Sequence, residues 1–207
     1  MLFNQLHWVI TLKSFMAYSL LPCFVEFSGK YRTLGRDLSM QDLRGFLQEV
    51  EALGELRTIR GADWDLEIGA ITEIFGSEPN SPALLFEEVK DYPAGFRIFT
   101  NMFQTQPRTA LALGLPTDLQ GVALVQSVRE MLKSSSPVPP IFQSNGPIQE
   151  NIFVGKEASV LRFPAPKLHR EDGGRYIGTA DAVITADRDT GWINLGTARV
   201  QVIDDFR

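Results

Sequence analysis

The chain has 207 residues, of which 44% are hydrophobic and 22% charged, so it holds enough apolar side chain to build a folded core. Its net charge is −5 and it has no basic stripe to follow a phosphate backbone, which argues against nucleic-acid binding. Cys23 is the only cysteine, so an internal disulfide is excluded and we expect a cytoplasmic protein.

The first 39 residues differ in character from the rest of the chain. They hold four basic and two acidic residues, against an acidic balance overall. Their apolar run at 15–25 contains Pro22 and is shorter than the ~20 residues that a membrane-spanning helix needs. The first basic residue, Lys13, comes too late for a secretory signal. We therefore predict no membrane segment and interpret residues 1–39 as an extension ahead of a natural start at Met40, with a packed N-terminal arm as the alternative.

A helix is predicted directly after this extension. Ser39 and Asp42 fit a capping pattern, in which the Ser hydroxyl accepts a hydrogen bond from a free backbone N–H. Gly54 stands where a helix often ends. The apolar residues between them follow at helical spacing: Leu43, Phe46, Leu47, Val50 and Leu53. We expect this helix to open an N-terminal α/β domain over residues 40–140.

Strands and helices alternate within this domain. Strands are predicted at 55–59, 83–89 and 97–103, and helices at 66–75, 107–114 and 119–133. The last helix is expected to bury the apolar residues of one face, which are Val122, Val125, Val128, Met131 and Leu132. The Ser/Pro-rich stretch at 134–140 is interpreted as a linker. No phosphate-binding glycine loop precedes it, so this part of the sequence indicates only an α/β domain.

The residues that carry chemistry concentrate in the last third of the chain. Strands at 181–187 and 192–204, joined by a tight turn, predict an antiparallel β-unit. In the preceding loop His169, Glu171 and Asp172 are candidates for a metal site, although three ligands within four residues rarely converge on one ion. A hydrogen-bonded loop histidine is the alternative. Gly173 and Gly174 fit either an anion-binding turn or an ordinary one.

Asn194 and Arg199 form the sharper candidate. An Asn oxygen suits a hard divalent ion such as Mg²⁺ or Mn²⁺, and an Arg guanidinium suits a phosphate or carboxylate. Ordinary surface polarity is the alternative. Residues five apart on a regular strand point to opposite faces, so a shared pocket requires a break in the strand. We therefore predict a bulge near Gly196.

Three strings in this region resemble the UbiD family of decarboxylases, which includes the ferulic acid decarboxylases. They run over residues 164–169 (PAPKLH), 172–179 (DGGRYIGT) and 192–202 (WINLGTARVQV), and the likeness extends over residues 40–207. The resemblance implies that the N-terminal α/β domain is followed, at 141–207, by the start of a split-β-barrel-like flavin-binding domain. It also implies reversible, non-oxidative decarboxylation of aromatic or α,β-unsaturated carboxylic acids.

The resemblance further implies the contents of the site. The cofactor is prenylated FMN, supplied by a flavin prenyltransferase and held with Mn²⁺ and often K⁺. Asn194 matches the family's metal ligand, while Thr197, Ala198 and Arg199 match the segment that touches the cofactor. Arg199 also matches the arginine that pairs with catalytic carboxylates and the substrate acid. The full-length family implies a homo-oligomer, and many members carry tyrosine where this chain has Ala198.

One departure concerns the remainder of that site. In the family a histidine, a glutamate and further carboxylates follow the segment that matches Asn194 to Arg199. Here the eight residues after Arg199 include neither histidine nor glutamate. We therefore expect a truncated chain that is inactive alone, and poorly soluble because a strand edge and an apolar face are left open. A non-catalytic flavin- or protein-binding module and a purely structural protein are the alternatives.

Overall fold

We describe a computed structural model of the chain, which covers residues 10–11, 43–136 and 150–206. Its helices and strands are, in chain order, β1 (Ile10–Thr11), α1 (Leu43–Ala52), β2 (Leu56–Arg60), α2 (Glu67–Gly76), β3 (Ala83–Glu87), β4 (Arg97–Thr100), α3 (Gln106–Ala112), α4 (Gly121–Ser134), β5 (Ile152–Phe153), β6 (Arg175–Ala186) and β7 (Ile193–Val202). Two short 3-10 helices, Gly155–Glu157 and Val160–Arg162, lie between β5 and β6.

The first helix lies where the apolar spacing predicts it. One face of α1 buries Phe46, Leu47 and Val50. Gly54 follows the helix with a φ of 73°, a left-handed conformation that favours glycine. Leu53 lies beyond the helix and is exposed. The predicted capping residues that precede α1 lie outside the described residues.

β2, β3 and β4 form a three-stranded sheet with β3 in the centre. β2 and β3 run parallel and are joined by α2, whereas β4 is antiparallel to β3. The first four residues of β3 are buried because α2 packs on one face of the sheet, and α1 and α3 pack on the other. Since β2 and β3 point the same way, the loops that follow them leave the sheet at one edge. The C-terminal part of the chain attaches at this edge.

A buried cation ties the ends of these strands together. The Arg108 side chain of α3 is fully buried, and its Nη1 donates to Glu55 Oε2 at 2.6 Å. Its Nε and Nη2 donate to the carbonyl oxygens of Ser81, Asn101 and Met102. These four hydrogen bonds join the residue before β2, the loop before β3 and the segment after β4, so Arg108 fixes the sheet to α3.

The prediction of which face of α4, the last helix of this domain, is buried is wrong. α4 forms close to the predicted bounds, but Leu124 is its one buried residue. Val122, Val125 and Leu132, which were expected in the core, are exposed. The sequence of α4 carries apolar residues on two faces, and periodicity alone does not tell which face meets the domain.

The segment that leads towards the hairpin contacts the N-terminal part of the chain. β1 pairs antiparallel with β5, with Ile10 opposite Phe153 and Thr11 opposite Ile152. Within residues 1–39 the structure describes this stretch alone. Most of the predicted linker, from residue 137 onward, lies outside the described residues.

β6 and β7 form an antiparallel hairpin closed by the predicted turn. Gly191 has a φ of 71°, which explains the glycine at this position. Asp187 Oδ1 accepts hydrogen bonds from the backbone N–H groups of Asp189 and Thr190 and from the Thr190 hydroxyl. The bonds from Thr190 hold the pKa of Asp187 below its usual value. The turn is therefore fixed by its own side chains.

The strand irregularity lies on β6, and the predicted bulge near Gly196 is wrong. Residues 193–198 of β7 pair one for one with residues 181–186 of β6. The register then shifts twice, between Asp181 and Gly178 and between Gly178 and Tyr176. At the first shift Ala180 has a φ of 63°. The extra residues belong to β6, so β7 runs unbroken past Gly196.

These elements confirm the predicted fold class, an α/β domain followed by a β-unit. The strands of the β-unit form a two-stranded sheet among the described residues, which do not close into a barrel. The longest described helix, α4, has 14 residues. None of the described helices combines the length and the apolar content that a membrane crossing requires.

Candidate functional site

The segment ahead of the hairpin is held tightly against the α/β domain. Residues 164–166 are buried, and the Lys167 N–H donates to the Trp64 carbonyl oxygen at 3.0 Å. Leu168 packs against the core beneath α2. Its carbonyl oxygen comes so close to Gly69 of α2 that a Cβ at Gly69 would lie 1.8 Å from it. The string at 164–169 therefore positions the hairpin by close backbone contact.

Arg199 projects from β7 beside the loop that precedes β6. Its Nη1 lies 4.0 Å from Asp172 Oδ1, and its Cζ lies 4.7 Å from the centre of the Tyr176 ring. Asp172 is only 11% exposed, and its Oδ2 accepts the backbone N–H of His169 at 2.9 Å. The Arg199 side chain remains 49% exposed. A positive charge is thus oriented by a ring and a carboxylate and still faces solvent.

Gly173 and Gly174 allow the loop before β6 to pack closely against β7. A Cβ on Gly174 would lie 2.9 Å from Gln201 Nε2, and a Cβ on Gly173 would lie 3.5 Å from the same atom. Neither glycine has a positive φ. The alternation of right- and left-handed residues that forms an anion-binding nest is therefore not present in this loop. The loop instead reaches the strand two residues from Arg199.

Asn194 lies on the other face of the hairpin. Its amide nitrogen would be 3.6 Å from a Cβ on Gly196, which places both residues on one face together with Ala198. Thr197 and Arg199 occupy the opposite face. Since β7 is unbroken, five residues place Asn194 and Arg199 roughly 16 Å apart along the strand. The structure therefore brings Thr197 together with Arg199 and leaves Asn194 and Ala198 on the reverse side.

The loop residues considered for a metal site do not converge. Asp172 turns towards Arg199, whereas His169 Nδ1 lies 4.0 Å from Glu73 Oε2 on α2. Within the ranges that the structure describes, no group of three His, Cys, Asp or Glu residues could hold a metal ion. Asn194 alone does not make a metal centre, so no metal-dependent step follows from the described residues.

Asp181 is a charged residue of the hairpin that the sequence interpretation missed. It pairs with Ala198 across the strands. Its carboxylate folds over Gly178, where a Cβ would lie 1.8 Å from Oδ2. Burial raises the pKa of Asp181 above its usual value. In the sequence, Asp181 is the single acidic residue of the apolar run that follows Gly178, and this pattern could have indicated a partly buried carboxylate.

The chain is similar to several decarboxylases. It is 32% identical over 174 residues to the pyrrole-2-carboxylic acid decarboxylase of Pseudomonas aeruginosa, covering 80% of this chain and 35% of that protein. It is 30% identical to ferulic acid decarboxylase 1 of Saccharomyces cerevisiae, covering 84% and 36%. The closed form of the vanillic acid decarboxylase of Sedimentibacter hydroxybenzoicus aligns with a TM-score of 0.70 at 27% identity, covering 84% and 36%. The chain thus spans about a third of the length of these relatives.

Two family models match the chain in order along the sequence. The N-terminal domain of 3-octaprenyl-4-hydroxybenzoate carboxy-lyase matches residues 47–128, and the Rift-related domain of the same enzyme matches residues 141–207. The first match corresponds to the α/β domain and the second to the segment that carries the hairpin and Arg199. Together with the similar decarboxylases, these matches show that the protein belongs to the UbiD family.

Proposed function

We propose that this chain supplies part of a UbiD-type non-oxidative decarboxylase for aromatic or α,β-unsaturated carboxylic acids, with prenylated FMN as cofactor. The names of similar proteins support this class of substrate, since they describe decarboxylases of pyrrole-2-carboxylic, phenolic and ferulic acids. The observation that carries the proposal is the half-exposed guanidinium of Arg199, within the domain that the family model matches.

Arg199 is suited to hold a carboxylate or phosphate oxygen. An arginine guanidinium is a planar fork that offers five N–H donors. The contact with Asp172 is long, at 4.0 Å, so donors remain available for a ligand. The Tyr176 ring limits the rotation of the guanidinium. Arg199 would therefore orient the acid group of a substrate at little entropic cost.

Thr197 and Arg199 form the proposed cofactor face together with the exposed apolar residues of the same side of the hairpin. Leu195 precedes Thr197 on this face and is 59% exposed, so a flat ring system could lie beside a hydroxyl and a guanidinium. Prenylated FMN, when bound, would supply the electron sink for the loss of carbon dioxide. Asn194, on the opposite face of the hairpin, would contribute one ligand to a Mn²⁺ apart from this cofactor face, and the remaining ligands would come from residues outside the described ranges.

The proton donor is also proposed to lie outside the described residues. Asp172 is largely buried and accepts the backbone N–H of His169, and Asp181 lies on the reverse face of the hairpin. The hairpin leaves Ile184, Ile193 and Leu195 exposed, which suits a surface that another polypeptide covers. We therefore propose that turnover requires further protein, in an oligomeric assembly, and that this chain alone binds without reacting.

Co-expression with a flavin prenyltransferase tests the proposal. The purified chain is expected to absorb in the visible range and to release the cofactor on denaturation. Arg199→Met should lower the cofactor content, whereas the matched control Arg188→Met, in the exposed turn, should leave it unchanged. Colourless wild-type protein that releases no cofactor would contradict the proposal.

A non-catalytic flavin-binding module is the second candidate, supported by the absence of an available acid beside Arg199 among the described residues. This candidate predicts that the chain binds the cofactor. It also predicts that the chain, combined with the remaining domains of a family enzyme, releases no carbon dioxide from any aromatic or unsaturated acid. Release of carbon dioxide that depends on Arg199 would exclude it.

A further inference from the structure

Arg175, the first residue of β6, lies between the α/β domain and the proposed site. Its Cζ stacks 3.8 Å from the centre of the Trp64 ring, in the loop after β2. Its Nη2 donates to the Tyr92 hydroxyl, in the loop after β3, and its Nε donates to the Ala165 carbonyl oxygen at 2.7 Å. The side chain thus binds both loops that leave the sheet at this edge, together with the buried segment ahead of the hairpin.

These contacts fix the start of β6 in place. The adjacent Tyr176 N–H donates to the Pro166 carbonyl oxygen at 2.9 Å, which ties the backbone at the same point. Tyr176 pairs with Gln201, and its ring lies under Arg199 on that face. A shift at Arg175 would therefore move the ring that orients Arg199, because the two residues are neighbours on one short strand segment.

The register shifts of β6 separate this anchor from the regular part of the strand pairing. Between Tyr176 and Asp181 the pairing with β7 slips twice, so the regular ladder beyond Asp181 cannot hold Tyr176 in register. Beyond these shifts Arg175 and Tyr176 pair with Val202 and Gln201. The contacts of Arg175 and the Pro166 bond reinforce this short pairing and so help to place the Tyr176 ring. A lysine at 175 would keep the charge but lose the planar stack on Trp64 and the simultaneous bonds to Tyr92 and Ala165.

We infer that Arg175 is a positioning residue, which orients the guanidinium of Arg199 by locking Tyr176 against the α/β domain. Arg175 pairs with Val202, so its side chain lies on the face opposite to Thr197 and Arg199. The role of the oriented Arg199 guanidinium in ligand binding rests on the proposed function. The orientation itself can be measured on the chain without cofactor or substrate, so failure of one proposal leaves the other open to its own test.

The experiment measures how fast phenylglyoxal modifies individual arginines, followed by peptide mass spectrometry at micromolar protein concentration. In Arg175→Met, Arg199 should react roughly two- to fivefold faster than in the wild type, the factor that corresponds to a lost cation–π contact at an exposed site. The exposed Arg188 should react at an unchanged rate. The buried Arg108 should stay unreactive, which shows that the α/β domain remains folded.

The matched control is Arg170→Met, which removes an exposed arginine from the loop that precedes β6 and should not change the reactivity of Arg199. Tyr92→Phe, which deletes one hydroxyl acceptor and no charge, should raise it by less than Arg175→Met does. This variant carries the test if Arg175→Met exposes Arg108. An unchanged Arg199 rate in a variant that keeps Arg108 protected would overturn the inference.

Discussion

The strands of the α/β domain and those of the β6–β7 hairpin differ in how much of their surface is buried. Four consecutive residues of β3 are buried between helices, whereas no residue of β7 is buried and its apolar residues Ile193 and Leu195 face solvent. The α/β domain therefore holds its own core within the described residues. The hairpin carries apolar residues on both faces, as a strand pair buried on both sides does. The described residues cover little of either face.

The same contrast separates two arginines. Arg108 is fully buried, with four hydrogen bonds to protein oxygens, while Arg199 is half-exposed and has one distant carboxylate and one ring. Satisfied burial suits a structural role, and partly free donors suit ligand binding. The comparison assigns stability to the α/β domain and the proposed ligand binding to the hairpin, and each assignment can be tested by substitution.

The largest effect is expected at Arg108. Arg108→Met should lower the free energy of unfolding by about 3–5 kcal/mol, because it leaves three carbonyl oxygens without their donor and Glu55 without its charged partner, with the Thr105 hydroxyl as a remaining donor. The matched control is Arg60→Met, at an exposed arginine 3.4 Å from Glu87, which should cost at most about 1 kcal/mol. Urea denaturation measures both, and equal costs would break the distinction between buried and surface arginines.

The contact between the two regions is tested next, at Gly69. Gly69→Ala should cost about 1–3 kcal/mol, because its Cβ meets the Leu168 carbonyl oxygen, a backbone atom that cannot rotate away. Gly76→Ala in the same helix is the control, since its Cβ would be 3.6 Å from Asn101 Oδ1, an ordinary contact. The control should be neutral or stabilising. Thermal unfolding of both variants checks this, and equal melting temperatures would sink the prediction.

Within the hairpin, the pH dependence of stability should differ in sign between two aspartates. Burial raises the pKa of Asp181, so the folded state binds its proton more tightly, and stability falls as pH rises through the range just above the usual aspartate pKa. Asp181→Asn should remove this loss and raise stability at neutral pH by less than about 1 kcal/mol, since solvent screens a half-buried group.

Asp187 supplies the opposite case. Hydrogen bonds from Thr190 lower its pKa, so its contribution to stability is present above the unfolded pKa and is lost as pH falls through the folded one. Asp187→Asn should therefore destabilise the chain at neutral pH and have no effect in acid. Denaturation curves of both variants from neutral to acidic pH compare the two signs, and a shared sign would contradict the assignment.

The smallest change in stability is expected on the exposed face of the hairpin. Leu195→Thr should alter the free energy of unfolding by less than about 0.5 kcal/mol, because the side chain contacts little protein. It should nevertheless reduce self-association, which light scattering at rising concentration measures. Leu84→Thr, in the buried centre of β3, should instead destabilise strongly. A wild-type chain that stays monodisperse at high concentration would show that the hairpin face needs no cover.

The sequence predicts the α/β domain well because its strands and helices bury residues at regular spacing. The bounds of α1, α2, β3 and β7 lie within a few residues of the expected ones. The buried face of α4 was predicted wrongly, since apolar residues stand on both of its faces. The assumption that Asn194 and Arg199 share a pocket likewise placed a bulge near Gly196, whereas the register shifts lie on β6, where Ala180 takes a positive φ.

For the candidate site, the sequence selects candidate residues, and whether they share a face depends on the register of β7. Asn194 and Arg199 were selected for their chemistry, and the continuous register of β7 separates them. The partners of Arg199 could not be predicted, because Asp172 and Tyr176 meet it only through the cross-strand register and the loop approach at Gly174. Such contacts depend on tertiary structure, which local patterns do not encode.

The central claim is that prenylated FMN binds on the face of the hairpin that carries Thr197 and Arg199. Titration of the chain with this cofactor in metal-free buffer, followed by flavin fluorescence, tests it directly with one bulky substitution on each face. Thr197→Arg should weaken binding by at least about tenfold, while Thr185→Arg, on the face of Asn194, should leave it within about twofold of the wild type. Loss of binding by Thr185→Arg alone, or no binding by the wild-type chain, would contradict the claim.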